Sequence, residues 1–356
     1  MKQKAHEQQR RRQTITRSIL LVFGLLIVIA LVIGYRLYQT VMRPNVNPPG
    51  ETTSSLYIPT GASYEQVIDS LKSSKLIIDM DAFEWLANQK NYPEHIHPGH
   101  YVLKKGMSNN HLVNMLLGGL QTPVKVTFNN MRDVRMLAGR ISQQIEADSL
   151  SLVGLLSNPD SLQTIGFNTK TIPALFLPNT YEFYWNTSAR KFVDKMRQEY
   201  DKFWNDERTE KAKAIGLSPI QVSTLASIVD KETNKTDEMA RIAGVYLNRL
   251  RDGWLLQADP TLVFAVGDFE MKRVLNVHKE VDSPYNTYKY KGLPPGPICI
   301  PSLASINAVL NAEKHNYYYF CAKEDFSGYH NFAKTLNEHN RNAERYQREL
   351  NKRIKN

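Results

Sequence analysis

Cysteine is almost missing from this chain: Cys299 and Cys321 are the only two in 356 residues. A disulfide-stapled fold needs more, and no Cys/His spacing has the form of a metal site, so neither metal nor other cofactor is expected. Both have apolar neighbours, in Pro297-Ile298-Cys299-Ile300-Pro301 and Tyr319-Phe320-Cys321-Ala322. They read as two small buried hydrophobes, with a disulfide in an oxidising compartment as the other reading. A concentrated basic face is missing too. The formal charge is +10, yet the first 17 residues hold six bases (Lys2, Lys4, Arg10, Arg11, Arg12, Arg17) and one acid, Glu7. The other 339 residues carry 39 bases against 34 acids. Duplex recognition wants a clustered positive stripe, so nucleic acid is not an expected partner; a mild excess fits anionic envelope polymers or lipid head groups.

Charge and proline are absent altogether from Ser18 to Tyr35, S-I-L-L-V-F-G-L-L-I-V-I-A-L-V-I-G-Y. As a helix this run spans ~27 Å, close to the hydrocarbon thickness of a bilayer. The basic tail before it places the N-terminus in the cytoplasm by the positive-inside rule. A cleaved signal peptide is the rival reading. It has a shorter apolar core and a small-x-small cleavage site, whereas Tyr35-Arg36-Leu37-Tyr38 follows here. A retained anchor is therefore expected: cytoplasmic tail 1–17, transmembrane helix 18–35, and the rest beyond the cytoplasmic membrane. Arg43 to Ser55, R-P-N-V-N-P-P-G-E-T-T-S-S, has linker composition. Its prolines predict an extended tether with at most ~40 Å of reach.

After the linker the sequence echoes itself at an offset of 45 residues. Gly61, Ser63, Val67, Ile68 and Leu71 correspond to Gly106, Ser108, Leu112, Val113 and Leu116. Each copy predicts a strand, a glycine turn, a serine N-cap and an amphipathic helix, with a capping box from Ser63 to Gln66. Val124–Phe128 with Asp133, Val134, Leu137 and Ile141 reads as a degenerate third copy. Duplication and ordinary βα units with common turn chemistry explain the echo equally well. Helices and a loop at Phe176–Phe183 are expected next, then an amphipathic helix at Ala189–Trp204. Helices at Ser218–Glu232 and Thr236–Leu250 follow, then short strands and turns from Gly253 to about Tyr319, and a polar helix from about Thr335.

The chemistry centres on Glu232. Leu225, Ile228 and Val229 precede it by seven, four and three residues, so helical spacing puts Glu232 on the inward stripe while Asp230 and Lys231 turn away. A partly desolvated carboxyl keeps its proton near neutrality, as a general acid for a glycosidic oxygen must. The competing reading is a solvated helix-end glutamate paired with Lys235 or Arg241. In the following helix Thr236 is the expected N-cap, with Asp237 and Glu238 at the positive end of the dipole. Asn248 and Arg249 suit capping of the next loop, which carries Gln257, Asp259 and Pro260. Beyond it come Ser283-Pro284-Tyr285-Asn286-Thr287-Tyr288 and the Pro/Gly-rich Gly292–Ile298, which reads either as a rigid wall for a sugar or as a structural turn. His330 and His339 add polar groups without a motif.

Taken in order, these segments are specific. Leu177–Phe183 (L-P-N-T-Y-E-F), Leu225–Thr233 (L-A-S-I-V-D-K-E-T) and Val245–Leu250 (V-Y-L-N-R-L) lead into Leu256–Thr261 (L-Q-A-D-P-T), Tyr285–Tyr288 (Y-N-T-Y) and Gly292–Ile298 (G-L-P-P-G-P-I). From roughly Leu56 to the end the chain closely resembles the YceG-like family of endolytic murein transglycosylases. The resemblance implies an α+β chain: one N-terminal transmembrane helix, a small LysM-like α/β module at 56–122, and a mixed α/β catalytic region at 123–356. It implies lytic cleavage of the MurNAc-β-1,4-GlcNAc bond within a peptidoglycan strand, leaving a 1,6-anhydro end. It maps the catalytic glutamate onto Glu232 and substrate contacts onto Gln257, Asp259, Tyr285, Asn286 and Thr287. It also implies peptidoglycan glycan as the partner, with coupling to penicillin-binding proteins and the elongation or division machinery. Two departures stand out: Asp230 where the family often has glutamate, and Asn179 where P-D-T is common. A non-catalytic, anchored peptidoglycan-binding scaffold is the alternative class, and an inward glutamate argues against it.

Overall fold

The computed structural model describes residues 2–271 and 273–355; the side chains of 2–9, 11–14 and 354–355 fall outside the described residues, and with them most of the basic tail. The chain forms two compact units, Met1–Val124 with Tyr184–Asn186, and Lys125–Phe183 with Thr187–Asn356.

The first unit contains α1 (Lys2–Met42), β1 (Thr53–Ile58), α2 (Tyr64–Ser73), α3 (Met80–Gln89), β2 (Gly99–Lys104) and α4 (Asn109–Leu117). Among the described residues one unbroken helical stretch, Ile15–Met42 of α1, is long and apolar enough to cross a membrane. It runs past Tyr35, where the apolar composition ends, because nothing in Arg36–Met42 breaks a helix. Pro44 does. It has no N–H to give the carbonyl of Thr40, and the side-chain amide of Asn109 supplies that hydrogen bond instead at 2.9 Å. Asn109 in turn accepts from Asn45 Nδ2 at 2.6 Å. Asn45 also bonds both the N–H and the carbonyl of Asp79, at 2.7 and 2.8 Å.

The extended tether expected at 43–55 is therefore corrected. Asn45 and Val46 are buried, 4% and 1% exposed. Their N–H groups both reach the Met107 carbonyl, and Asn47 N–H reaches Leu76. Thr53–Ser55 already belong to β1. Composition misled because Pro44, Pro48 and Pro49 read as linker, while the backbone donors between them are the ones that pair.

The 45-residue echo has a structural counterpart. Strands β1 and β2, which precede the two glycine turns, pair antiparallel with Leu56 opposite Tyr101. Gly61 and Gly106 take matching left-handed φ values of 80° and 84°, and Ser63 and Ser108 both cap the helix that follows. The capping box between Ser63 and Gln66 forms. Val67, Ile68 and Leu71 meet Leu112, Val113 and Leu116 in one core with Phe83, Tyr92 and Tyr101. The order β1-α2-α3-β2 thus closes a two-stranded sheet over helices, and Trp185 returns to pack on Tyr57.

The second unit contains β3 (Val124–Phe128), α5 (Val134–Ser142), α6 (Ser149–Ser157), α7 (Pro159–Gln163), β4 (Asn179–Phe183), α8 (Ala189–Phe203), α9 (Asp206–Ala214), α10 (Pro219–Glu232) and α11 (Met239–Arg251). It continues with α12 (Asp259–Val266), α13 (Asn276–Lys279), α14 (Leu303–Leu310), β5 (Tyr319–Ala322), β6 (His330–Ala333) and α15 (Leu336–Lys355). The third strand-helix copy exists, with Asp133 as N-cap, but β3 pairs with β4. The expected loop over Asn179–Phe183 is that partner strand.

Helix α10 is the axis of this unit. Ser218 caps it with a box to Gln221, and it is buried without a break from Val222 to Asp230. Asp230 does not turn to solvent as expected. It accepts from Asn130 Nδ2 at 2.9 Å and from Ser302 Oγ at 2.5 Å, because α14 covers the face that periodicity assigned to water. Helix α11 begins at Met239, with Glu238 in place of Thr236 at its N-cap. The Pro/Gly segment serves as a turn. Gly296 lies so close to the Lys170 carbonyl that a Cβ would stand 2.1 Å away, and Ile298 N–H donates to Ser227 Oγ.

Replacing Asn109 by leucine removes the donor to Thr40 and the acceptor of one Asn45 N–H, while the bonds of Asn45 to Asp79 remain. The expected cost is about 1–3 kcal/mol, read as a lower urea midpoint of full-length protein in detergent; an unchanged midpoint would remove this junction from the stability of the first unit.

Candidate active site

Glu232 is the last residue of α10, one turn beyond Ile228 and Val229, both fully buried. Its side chain is partly exposed, at the floor of a cavity of about 410 Å³ whose polar wall includes Tyr246, Arg249, Gln257, Asp259 and Tyr288. The Tyr246 hydroxyl, buried on α11, donates to Glu232 Oε1 at 2.5 Å. Neither candidate ion-pair partner engages it: Arg241 pairs with Glu313 at 2.8 Å, and the Lys235 ammonium lies over the Tyr329 ring.

Burial is the largest influence on this carboxyl and pushes its pKa up to about 7. The Tyr246 hydrogen bond works downward, the Asp259 charge upward and the Arg249 charge downward. Desolvation wins because Arg249 is itself committed to neutral acceptors, with Nε donating to the Tyr318 carbonyl at 2.7 Å and Nη1 to the Leu256 carbonyl at 2.5 Å. Burial and Glu232 also hold the Tyr246 hydroxyl well above its usual range, so it remains a donor. The site thus keeps a substantial fraction of Glu232 protonated at neutral pH, the state a general acid needs.

The expected contact residues divide into two groups. Gln257 and Asp259 share the cavity with Glu232. Asp259 opens α12 and accepts from the Tyr288 hydroxyl at 2.5 Å. Gln257 has a left-handed φ of 52°, a conformation that costs a non-glycine residue about 1–3 kcal/mol and persists when its surroundings enforce it. Thr287 does so: its carbonyl accepts from Gln257 N–H, and its hydroxyl accepts from Ala258 N–H and pairs with Thr261 Oγ1. Asn286 is equally occupied, donating to the Lys279 and Val281 carbonyls and accepting from Tyr288 N–H. Both residues are buried and frame the loop, contrary to their expected place as contacts. Tyr285 packs on Phe264, with ring centroids 4.6 Å apart, and does not line this cavity.

Sequence reasoning passed over Tyr246, Arg249 and Tyr288. Tyr246 follows Ile242 and Val245 on an aliphatic stripe, which by itself reads as core; its hydroxyl is the signal, since a buried phenol needs a partner. Arg249 was given a loop-capping role, and part of that stands. His330 and Cys321 also reach the cavity. His330 Nδ1 is held at 2.7 Å by Glu238, a buried carboxylate at the start of α11. Both cysteines are free; Cys299 is buried as expected, whereas Cys321 is half-buried.

A second cavity of about 810 Å³ shares Glu232 and Asp259 with the first. Its other wall is basic and aromatic, with Arg132, Lys231, Arg273, Phe264 and Phe269, and Arg132 lies 4.6 Å from the Phe269 ring centre. The carboxyl pair therefore sits where two recesses meet, an arrangement with room for a chain on both sides of the acid.

Residues 56–345, both units included, match the YceG-like family. The chain belongs to that family. An endolytic murein transglycosylase of Bacillus subtilis (strain 168) is 29% identical to this YceG-like chain over 329 residues, covering 88% of it and 90% of the relative. One from Streptococcus pneumoniae serotype 2 (strain D39) is 27% identical over 354 residues. The match covers 89% of the YceG-like chain but 63% of that longer relative. A crystal structure of a YceG-like protein from Listeria monocytogenes superposes with a TM-score of 0.55 at 28% identity, covering 82% of this chain and 98% of the other.

Tyr246→Phe removes a hydrogen bond that favours ionised Glu232, so the Glu232 pKa should rise. Carbon-13 NMR titration of the Glu232 carboxyl reads this directly; a fall would mean that the phenol stabilises the neutral acid.

Proposed function

We propose that this chain is a lytic peptidoglycan transglycosylase with Glu232 as its acid and then its base. The observation that carries the proposal is a carboxyl held near pKa 7 at the junction of two recesses. Protonated Glu232 gives its proton to the oxygen of the MurNAc-β-1,4-GlcNAc bond as the C1–O bond breaks. The C6 hydroxyl of the same muramic acid closes on C1, and its proton goes to the Glu232 carboxylate. The acid is regenerated, no water is consumed, and a 1,6-anhydro end remains. An ordinary glycosidase needs a second carboxylate to activate water or to attack. Here Asp259 is tied to Tyr288 and exposed, which favours contact with substrate over attack.

In this scheme Gln257 and Asp259 touch the glycan, while Asn286 and Thr287 hold the turn that presents them. The basic wall formed by Arg132, Lys231 and Arg273 suits the carboxylates of muramyl lactyl and peptide groups. A recess on each side of the acid suits cutting within a strand, because substrate extends both ways from the bond. The β1-α2-α3-β2 arrangement supports reading 56–122 as a LysM-like glycan-binding module and 123–356 as the catalytic region. With the basic tail in the cytoplasm, α1 leaves both outside the cytoplasmic membrane, where nascent strands and the penicillin-binding proteins that make them are within reach.

Glu232→Gln should lower cutting of purified glycan strands by roughly 10²–10⁴-fold. Fragment masses decide the reaction: products one water heavier than anhydro sugars would replace this reading with a hydrolytic one.

The same carboxyl links stability to pH. Its folded pKa, about 7, lies above its ordinary 4.5, so the folded state binds more protons between these values and stability falls as pH rises through them. Relative to wild type, Glu232→Gln should gain up to about 3 kcal/mol between pH 4.5 and 7.5, read by urea unfolding; a constant difference would place Glu232 in water.

A further inference from the structure

A cavity of about 670 Å³ lies within the first unit, where α1 meets the start of α3. One wall is a face of α1, Arg36, Gln39 and Thr40, continued by Arg43 just past the last helical residue, at spacings of three, four and seven residues. The facing wall carries Asp79 and Asp81. The amides of Asn45 and Asn109 close the floor, occupied by bonds to Asp79, Thr40 and each other. Neither arginine has an ion-pair partner among the described residues, and both are exposed.

Depth in the bilayer gives this cavity its meaning. Arg36 directly follows the apolar run, and Arg43 lies ~10 Å farther along the helix. The headgroup layer on each side of a bilayer is ~5–8 Å thick. The two guanidiniums therefore bracket that layer, beside Tyr35 and Tyr38, which are 63% and 60% exposed as interfacial aromatics are. Ile78, 66% exposed, stands on the rim, and below Arg36 the same helix face continues through Ile33, Val32 and Ile29.

We infer that this cavity is a binding site for a zwitterionic phospholipid headgroup, the phosphoethanolamine type, in the leaflet at the C-terminal end of α1. The phosphodiester lies between Arg36 and Arg43, the ammonium faces Asp79 and Asp81, and the acyl chains follow the apolar face of α1. Two cations opposite two anions fit a headgroup carrying one charge of each sign; a diphosphate or an anionic glycerol headgroup would leave the carboxylates facing negative charge or nothing. The inference rests on α1 spanning a membrane and is independent of Glu232.

The test uses full-length protein in detergent, given equal dioleoyl phosphatidylethanolamine and phosphatidylglycerol, or phosphatidylethanolamine and a polyprenyl diphosphate. Retained lipid is counted by native mass spectrometry. Preferential retention of phosphatidylethanolamine in both mixtures is expected, the amount retained falling roughly fivefold for each arginine replaced by glutamine. Asp81→Asn, remote from the Asn45–Asn109 bonds, should abolish the preference over phosphatidylglycerol and guards against misfolding of the arginine variants. Equal retention of phosphatidylglycerol, preference for the diphosphate, or wild-type retention of phosphatidylethanolamine in Arg36→Gln/Arg43→Gln would each overturn the assignment.

Discussion

Everything proposed for the second unit depends on one carboxyl being withdrawn from water without being handed to a cation. Helix α10 accomplishes this by its position. It is enclosed along nearly its whole length, so its final side chain leaves a desolvated core and meets a phenol first. A lysine or arginine in the place of Tyr246 would hold Glu232 ionised and remove its proton at neutral pH. Arg249 is near enough to act on the carboxyl, yet its donors are directed at the backbone carbonyls of Tyr318 and Leu256. The guanidinium thus braces two loops and tempers, without cancelling, the effect of burial.

That division of labour explains which parts were legible in the sequence. Helices with strong capping and clean periodicity, such as α2, α8 and α10, lie where their residues place them, because those signals are local. Glu232 could be placed on an inward stripe by counting from Val229. What could not be counted was what packs on the other sides. Asp230 was assigned to solvent because an isolated helix has a wet face, and α14 removes it with two hydrogen bonds from other segments. Glu238 stands at the helix start where its type suits the dipole, but its partner His330, 92 residues away, was equally beyond counting.

The loop from Ser283 to Tyr288 teaches a different lesson. A run of amides, hydroxyls and aromatics beside an acid invites assignment to the ligand. Geometry assigns most of it to backbone: Asn286 gathers three main-chain groups, and Thr287 holds Gln257 in a conformation it would otherwise avoid. Tyr288 alone extends to the cavity, through Asp259. Motif residues can thus be necessary to a site without touching what it binds, and residue type does not distinguish the two cases.

The junction at Pro44 carries a mechanical consequence. With Thr40 tied to Asn109, and Asn45 tied to Asp79, there is no slack between the apolar helix and the rest of the first unit. A helix of fixed length answers a thinner or thicker bilayer by changing its tilt. Were α1 to span a bilayer, a loose tether would absorb that change, whereas this clamp would convert bilayer thickness into an angle and carry β1, β2 and their helices with it.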